Sequence, residues 1–206
     1  MISKILNLNI KDQVKFFLEE GILKNEKTEL RSLSDLISAL IVVHIKYWQF
    51  EDNIEEIDDP STVGRLKQGT NSLFKVERPD LIKAIDGIIM GLLKGEDISK
   101  MEECDLVLSI SSHINEMGSD DKFDLIYSDT LSELIDKLVI IQIRRWHIEK
   151  SSLENPSEGA LLRLKTIDDE KIPMLLKSLD KLLLLIARGK VNFIPVNVKF
   201  YKGVNK

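Results

Sequence analysis

Two groups of polar residues have the type and spacing to do chemistry. His44, Trp48 and Glu51 form one trio, and Gln142, Trp146 and Glu149 repeat it 98 residues later. Residues at i, i+4 and i+7 fall within roughly 100° of arc on an ideal helix, so each trio shares a face. Arg65 and Lys67 follow the first trio, and Arg163 and Lys165 follow the second. An aromatic wall, a carboxylate and a guanidinium would make a ligand pocket. The same residues would make a buried Glu–Arg ion pair that fixes how two helices cross, since a buried charge must find a partner. The ion-pair reading is preferred, because acid–base spacing marks structural pairs as well as sites. It predicts that Glu51 and Glu149 each contact an arginine or lysine of the following helix. The tryptophans are then read as core rings whose indole N–H finds an acceptor.

A second chemistry would be carboxylate binding of Mg²⁺. Acidic residues three apart put their oxygens on one helix face, as helical nucleotide pyrophosphohydrolases require. Glu133 and Asp136 have that spacing, and Glu51, Asp52, Glu55 and Glu56 cluster at the end of a helical stretch. Neither group is duplicated: Asp35 and Ser38 stand in the place of Glu133 and Asp136. Glu133 is also explained by helix capping. The acidic cluster is read as a solvated helix end, although negative charge is unfavourable at a helix C-terminus.

Other chemistry is absent from the pattern. His44, His113 and His147 share no metal-ligand spacing, and a single cysteine, Cys104, builds no structural zinc site. No phosphate-binding loop, dinucleotide-binding glycine pattern or nucleophile elbow occurs. Arg144 and Arg145 read as a solvated basic spot.

The elements that carry these residues come in two copies. Residues 33–52 and 131–150 are identical at eight of twenty positions, among them Leu33/Leu131, Ile37/Ile135, Leu40/Leu138 and Trp48/Trp146. Chance would give about one or two. The 98-residue offset also carries Arg65-Leu66-Lys67 onto Arg163-Leu164-Lys165. A four-residue deletion then aligns Pro79, Asp86 and Gly95 with Pro173, Asp180 and Gly189. Each copy is read as three helices. The first starts at a capping box, Ser32-x-x-Asp35 or Thr130-x-x-Glu133. The second starts at Asp59-Pro60 or Asn155-Pro156, an N-cap followed by proline. The third starts near Pro79 or Pro173, carries a stripe from Leu81 to Leu92 or from Leu175 to Ile186, and stops at Gly95 or Gly189. The second and third could equally be one kinked helix. A shorter helix precedes each copy, Ile10–Glu20 and Glu102–Met117, and residues 118–129 link the copies.

The expected fold is therefore all-α: an internally duplicated helical bundle with pseudo-twofold symmetry and an extended tail. Residues 1–97 hold the first repeat, 98–190 the second and 191–206 the tail, together forming one compact domain. With 43% apolar residues, the 206-residue chain can bury a sizeable core without metals or disulfides. The sequence offers no signal-peptide pattern and no apolar run long enough for a bilayer, so the expectation is a cytoplasmic protein that does not engage membranes. A net charge of -5 argues against nucleic acid as the main partner.

Leu134-Ile135-Asp136-Lys137-Leu138, followed by Trp146-His147-Ile148-Glu149, resembles a signature of small bacterial helical proteins without a settled activity. The resemblance covers about twenty residues of the second copy, and the first copy departs from it at Ser38, Ala39 and Gln49. It supports a helical fold and carries no catalytic role over to this chain. The functional expectation is a non-enzymatic helical interaction module, with a protein partner or a second copy of itself and no cofactor. The alternative is a Mg²⁺-dependent nucleotide hydrolase using Glu51, Asp52, Glu55, Glu133 and Asp136.

Overall fold

A computed structural model describes residues 2–21, 32–55, 57–94 and 129–188. These form α1 (Ile2–Glu19), α2 (Leu33–Glu55), α3 (Pro60–Ser72), α4 (Arg78–Lys94), α5 (Leu131–Glu154), α6 (Glu158–Thr166) and α7 (Ile172–Ala187). A π-helical turn joins α3 to α4 at Leu73–Glu77, and another joins α6 to α7 at Ile167–Lys171. The described residues are thus all-helical, and 33–94 and 131–187 run through the same order of elements. The expected second leading helix, the linker before Asp129, Cys104, His113, Gly95, Gly189 and the tail lie outside the described residues.

Local chemistry explains where the long helices begin. Ser32 Oγ accepts from the Asp35 amide at 3.1 Å while Asp35 Oδ2 accepts from the Ser32 amide at 2.9 Å. Thr130 and Glu133 make the same reciprocal pair at 3.2 and 2.7 Å. Both capping boxes satisfy backbone donors that a helix start leaves open. Asp59 caps α3 through the amides of Ser61 and Thr62, with Pro60 at the first helical position. Hydrogen bonds from Thr62 and Ser61 hold its carboxyl down at about 2. In the second half the cap is Ser157, which accepts from the Ala160 amide, and α6 begins at Glu158. Asn155-Pro156 therefore does not start that helix; Asn155 ends α5. The helix before the first repeat begins at Ile2, earlier than its pattern suggested, and gives way to Gly21, whose φ of 85° suits a residue without Cβ.

Pro79 and Pro173 are each the second residue of their helix, α4 and α7, and each helix follows a π-turn directly. Pro79 cannot donate to the carbonyl four residues back, and its ring crowds that carbonyl. One wide turn comes just before it: the Arg78 amide donates to Leu73 O, five residues back. The Ile172 amide does the same to Ile167 O ahead of Pro173. Each junction thus keeps its helical run through a π-turn.

The apolar stripes meet in one cluster that takes buried residues from both halves and from α1. Leu33, Ile37, Leu40 and Ile41 of α2 are buried, as are Leu131, Ile135, Leu138 and Val139 of α5. Ile85 and Ile89 of α4 and Leu179, Leu182 and Leu183 of α7 complete it, with Leu6, Ile10 and Val14 of α1. α5 packs against α1, α2, α4, α6 and α7, and α2 packs against α1, α3, α4 and α5. Two carboxylates fasten helix starts to this frame. Asp86 of α4 accepts from the Ser132 amide at 3.0 Å, and Asp180 of α7 accepts from the Ser3 amide at 3.2 Å and its hydroxyl at 2.7 Å. A carboxylate is favourable at the positive end of a helix. No helix among the described residues is long and apolar enough to cross a membrane.

Candidate functional site

The stripe of α2 starts apolar and ends polar, so its last turns leave the core. His44 is buried, Trp48 is half-buried and Glu51 is exposed. Gln142, Trp146 and Glu149 repeat that gradient on α5. Arg65 and Arg163 are exposed too, held within their own helices: Arg65 Nη2 donates to Thr62 Oγ1 at 3.2 Å, and Arg163 Nε donates to Gly159 O at 3.3 Å. Of the pocket candidates His44, Trp48, Glu51, Arg65, Gln142, Trp146, Glu149 and Arg163, Trp48 and Trp146 come together around His147, while Arg65 and Arg163 bond within their own helices. The expected pairing with the following helix is corrected. Glu149 accepts from Arg145 of its own helix at 2.8 Å, and Glu51 faces Tyr47 one turn back. Burial, then the Glu51 carboxylate beside it, pushes the Tyr47 phenol up. Each carboxylate sits past the point where its helix leaves the core, and solvent there removes the need for a cation from another element.

Among the described residues, the buried carboxylate is that of Asp136, at 2% exposure. His44 Nε2 lies 2.6 Å from its Oδ1. Arg78 donates through Nε to Oδ1 at 3.0 Å and through Nη2 to Oδ2 at 2.6 Å. This is a two-pronged guanidinium contact of the strong kind. Burial pushes the Asp136 carboxyl up, but the hydrogen bonds and attraction of His44 and Arg78 outweigh it and leave the carboxyl below its ordinary value. An ionised carboxylate only accepts, so His44 carries its proton on Nε2. Phe74 roofs the group: its ring lies 5.7 Å from His44 edge-on and 4.1 Å from Tyr47, with the Arg78 guanidinium 5.4 Å above it. One carboxylate thereby joins α2, α4 and α5. A His–Asp pair can serve acid–base catalysis, but here the imidazole is 6% exposed. What the group does well is fix how three helices cross.

Gln142 occupies the corresponding place in the second half. It is buried and donates to Asn7 of α1 at 2.8 Å. Near the polar ends of α2 and α5, both tryptophans flank His147. Trp48 tilts over it at 5.1 Å and 32°, and Trp146 meets it edge-on at 5.1 Å. Burial pushes the His147 imidazole down, opposed by the Asp52 charge. Lys150 lies 5.7 Å over the Trp146 ring. Both indoles pack against the hydrophobic cluster.

The carboxylates proposed for Mg²⁺ are dispersed. Glu133 is occupied at the start of α5 and Asp136 in its ion group. Glu51 and Asp52 are exposed near the end of α2, and the side chain of Glu55 lies outside the described residues. Among the described residues, no group of three or more His, Cys, Asp or Glu side chains converges as a metal site would.

Sequence reasoning missed Arg78, Phe74 and His147. Arg78 directly precedes a proline, and nothing in its spacing marks it as the partner of a residue 58 positions away. It expected α6, with a start at Asn155-Pro156, but passed over the outward side of that helix. Ala160, Leu164 and Ile167 face inward, while Leu161 and Leu162 are 61% and 65% exposed. No residue of α6 is buried.

Fold and site together define an all-α protein whose buried polar groups tie helices to one another. No family model, curated protein or solved structure matches the chain.

Proposed function

We propose that the chain is a non-enzymatic helical module for protein association, built by duplication of one helical unit whose copies are related by a pseudo-twofold axis. The observation that carries the association reading is α6, which buries no residue and turns two leucines outward. Adjoining exposed apolar side chains are where a contact surface is sought. The polar groups that would serve an enzyme are engaged elsewhere: Asp136 holds α2 and α4 to α5, and Glu133 caps α5.

The duplication is supported by equal element order, by paired capping boxes and by π-turns at matching places before Pro79 and Pro173. A reducing, cytoplasmic setting belongs to the same proposal, supported by the single cysteine of the sequence. So does kinship with the small bacterial helical proteins that residues 134–149 resemble.

The test is amine cross-linking in cells that make the chain, read by mass spectrometry at Lys165. The expected result is a cross-link from Lys165 to another protein chain, lost in a folded Leu161→Ser/Leu162→Ser variant. Absence of any such cross-link would remove the proposal. So would Mg²⁺-dependent hydrolysis of a nucleoside triphosphate by the purified chain, abolished by Asp52→Asn.

A further inference from the structure

Glu158, Leu161, Leu162 and Lys165 lie at i, i+3, i+4 and i+7 of α6, so they share one face. All four are exposed. The first half lacks this face. At the matching positions it has Pro60, Val63, Gly64 and Lys67, so no leucine pair and no acid. Both halves build the same helical run, so the frame itself does not require the two leucines.

The face is also self-complementary. Glu158 and Lys165 stand equally far along the helix from the midpoint between Leu161 and Leu162. Turning a second α6 antiparallel about that midpoint sets Leu161 against Leu162 and Glu158 against Lys165, twice over. A twofold contact of this kind needs one surface to match itself, residue i meeting j and j meeting i. The tail of the chain is a poorer match, because residues 191–206 carry Lys199, Lys202 and Lys206 and no acid; it would answer Glu158 and oppose Lys165.

We propose that two copies of this chain pair antiparallel through α6, with the leucines central and the two Glu158–Lys165 pairs at the rim. The proposal rests on the association reading and names its partner. α6 has nine residues, too little surface for a standard interface of ~1,200–2,000 Å². The dimer is therefore weak and concentration-dependent, and its rim pairs weaken with salt.

Sedimentation equilibrium of the full chain, followed up to about 1 mM, tests it. Wild type shows a reversible monomer–dimer equilibrium, and Leu162→Ser weakens it by about tenfold or more. Glu158→Lys alone and Lys165→Glu alone each weaken it, because a twofold then opposes like charges at both rims. Mixing those two single variants restores the pairing that each change alone weakens, and the double variant E158K/K165E self-pairs again. Circular dichroism and the urea midpoint confirm that each variant is folded; the charge variants stand as the test should Leu162→Ser not fold. A wild-type chain that stays monomeric overturns the proposal, as does a dimer indifferent to all three single changes. Monomeric chain together with a Lys165 cross-link to a different protein in cells overturns self-pairing and leaves the association reading standing. Monomeric chain with no such cross-link removes both.

Discussion

Tyr47 rests on Phe74 in the first half of the molecule, their rings 4.1 Å apart. In the second half the same two places are taken by Arg145 and Asp168, joined by a guanidinium–carboxylate contact at 2.8 and 3.2 Å. The positions match under the 98- and 94-residue offsets that align the halves. Both contacts clamp a long helix to the π-turn that follows it. The backbone geometry of the clamp is shared, while its chemistry is aromatic on one side and ionic on the other. The deeper layer diverges the same way. His44 reaches Asp136, which Arg78 also holds, whereas Gln142 donates to Asn7. A helical frame fixes where side chains meet, and leaves open which interaction fills the meeting point.

The comparison makes predictions that differ between the halves. The largest concerns the two arginines. Arg78→Met leaves a buried carboxylate without its guanidinium partner and should cost about 3 kcal/mol. Arg145→Met removes an ion pair whose acids, Glu149 and Asp168, are 49% and 42% exposed. It should cost under about 1 kcal/mol. Urea unfolding of both variants checks this, and equal losses would break the contrast between a buried clamp and a surface one.

The tryptophans come next, and here the halves should agree. A fully buried aromatic ring lost to alanine costs about 3–5 kcal/mol. Trp48 and Trp146 are only half-buried against the core, so each replacement by alanine should cost about 2–3 kcal/mol. A loss below about 1 kcal/mol at either position would show that the two ends of the frame are not equivalent.

A smaller contrast separates the paired polar positions. His44→Leu takes a hydrogen bond from an ionised, buried acceptor and should cost about 2 kcal/mol. Gln142→Leu takes one from the neutral, half-buried Asn7 and should cost about 1 kcal/mol. The ordering of the two unfolding midpoints is the readout.

The smallest effect is a pH dependence set by His147. Its folded value lies below the ordinary one, chiefly through burial. The unfolded chain therefore takes up the proton first, so stability is full above about pH 6.5 and falls as pH drops through the folded value. Asp136 acts in the same direction but further into acid: its depressed carboxyl contributes stability that is lost as pH falls from about 3.9 through its folded value. His147→Gln should flatten the urea midpoint between about pH 7.5 and 5 while leaving the steeper acid limb in place. An unchanged slope in the neutral window would mean that another group governs it.

Local signals carried much of the fold in plain view. Ser32 with Asp35 and Thr130 with Glu133 are three residues apart, and each capping box forms because that spacing alone brings hydroxyl and amide together. The stripe from Leu33 to Ile41 is buried as its period requires, since 3.6 residues per turn place those side chains on one face. The repeat itself, read under the 98-residue offset, would even have placed the second N-cap at Ser157 opposite Asp59, where the nearby proline pointed to Asn155 instead.

The site was a different matter, because its partners are chosen by how helices cross. Asp136 and Glu133 share a helix and a spacing, yet one is sealed between His44 and Arg78 and the other caps a helix end. Glu51 and His44 share a stripe, yet only His44 lies where the helices are still in contact. On α6 two apolar stripes were available, and the packing of α6 against α5 decided that Leu164 would face inward and Leu161 and Leu162 outward. Period and caps are properties of a few consecutive residues, so the chain alone determined the helices. Partner, burial and exposure depend on axes that many side chains set together, and only the assembled bundle could decide them.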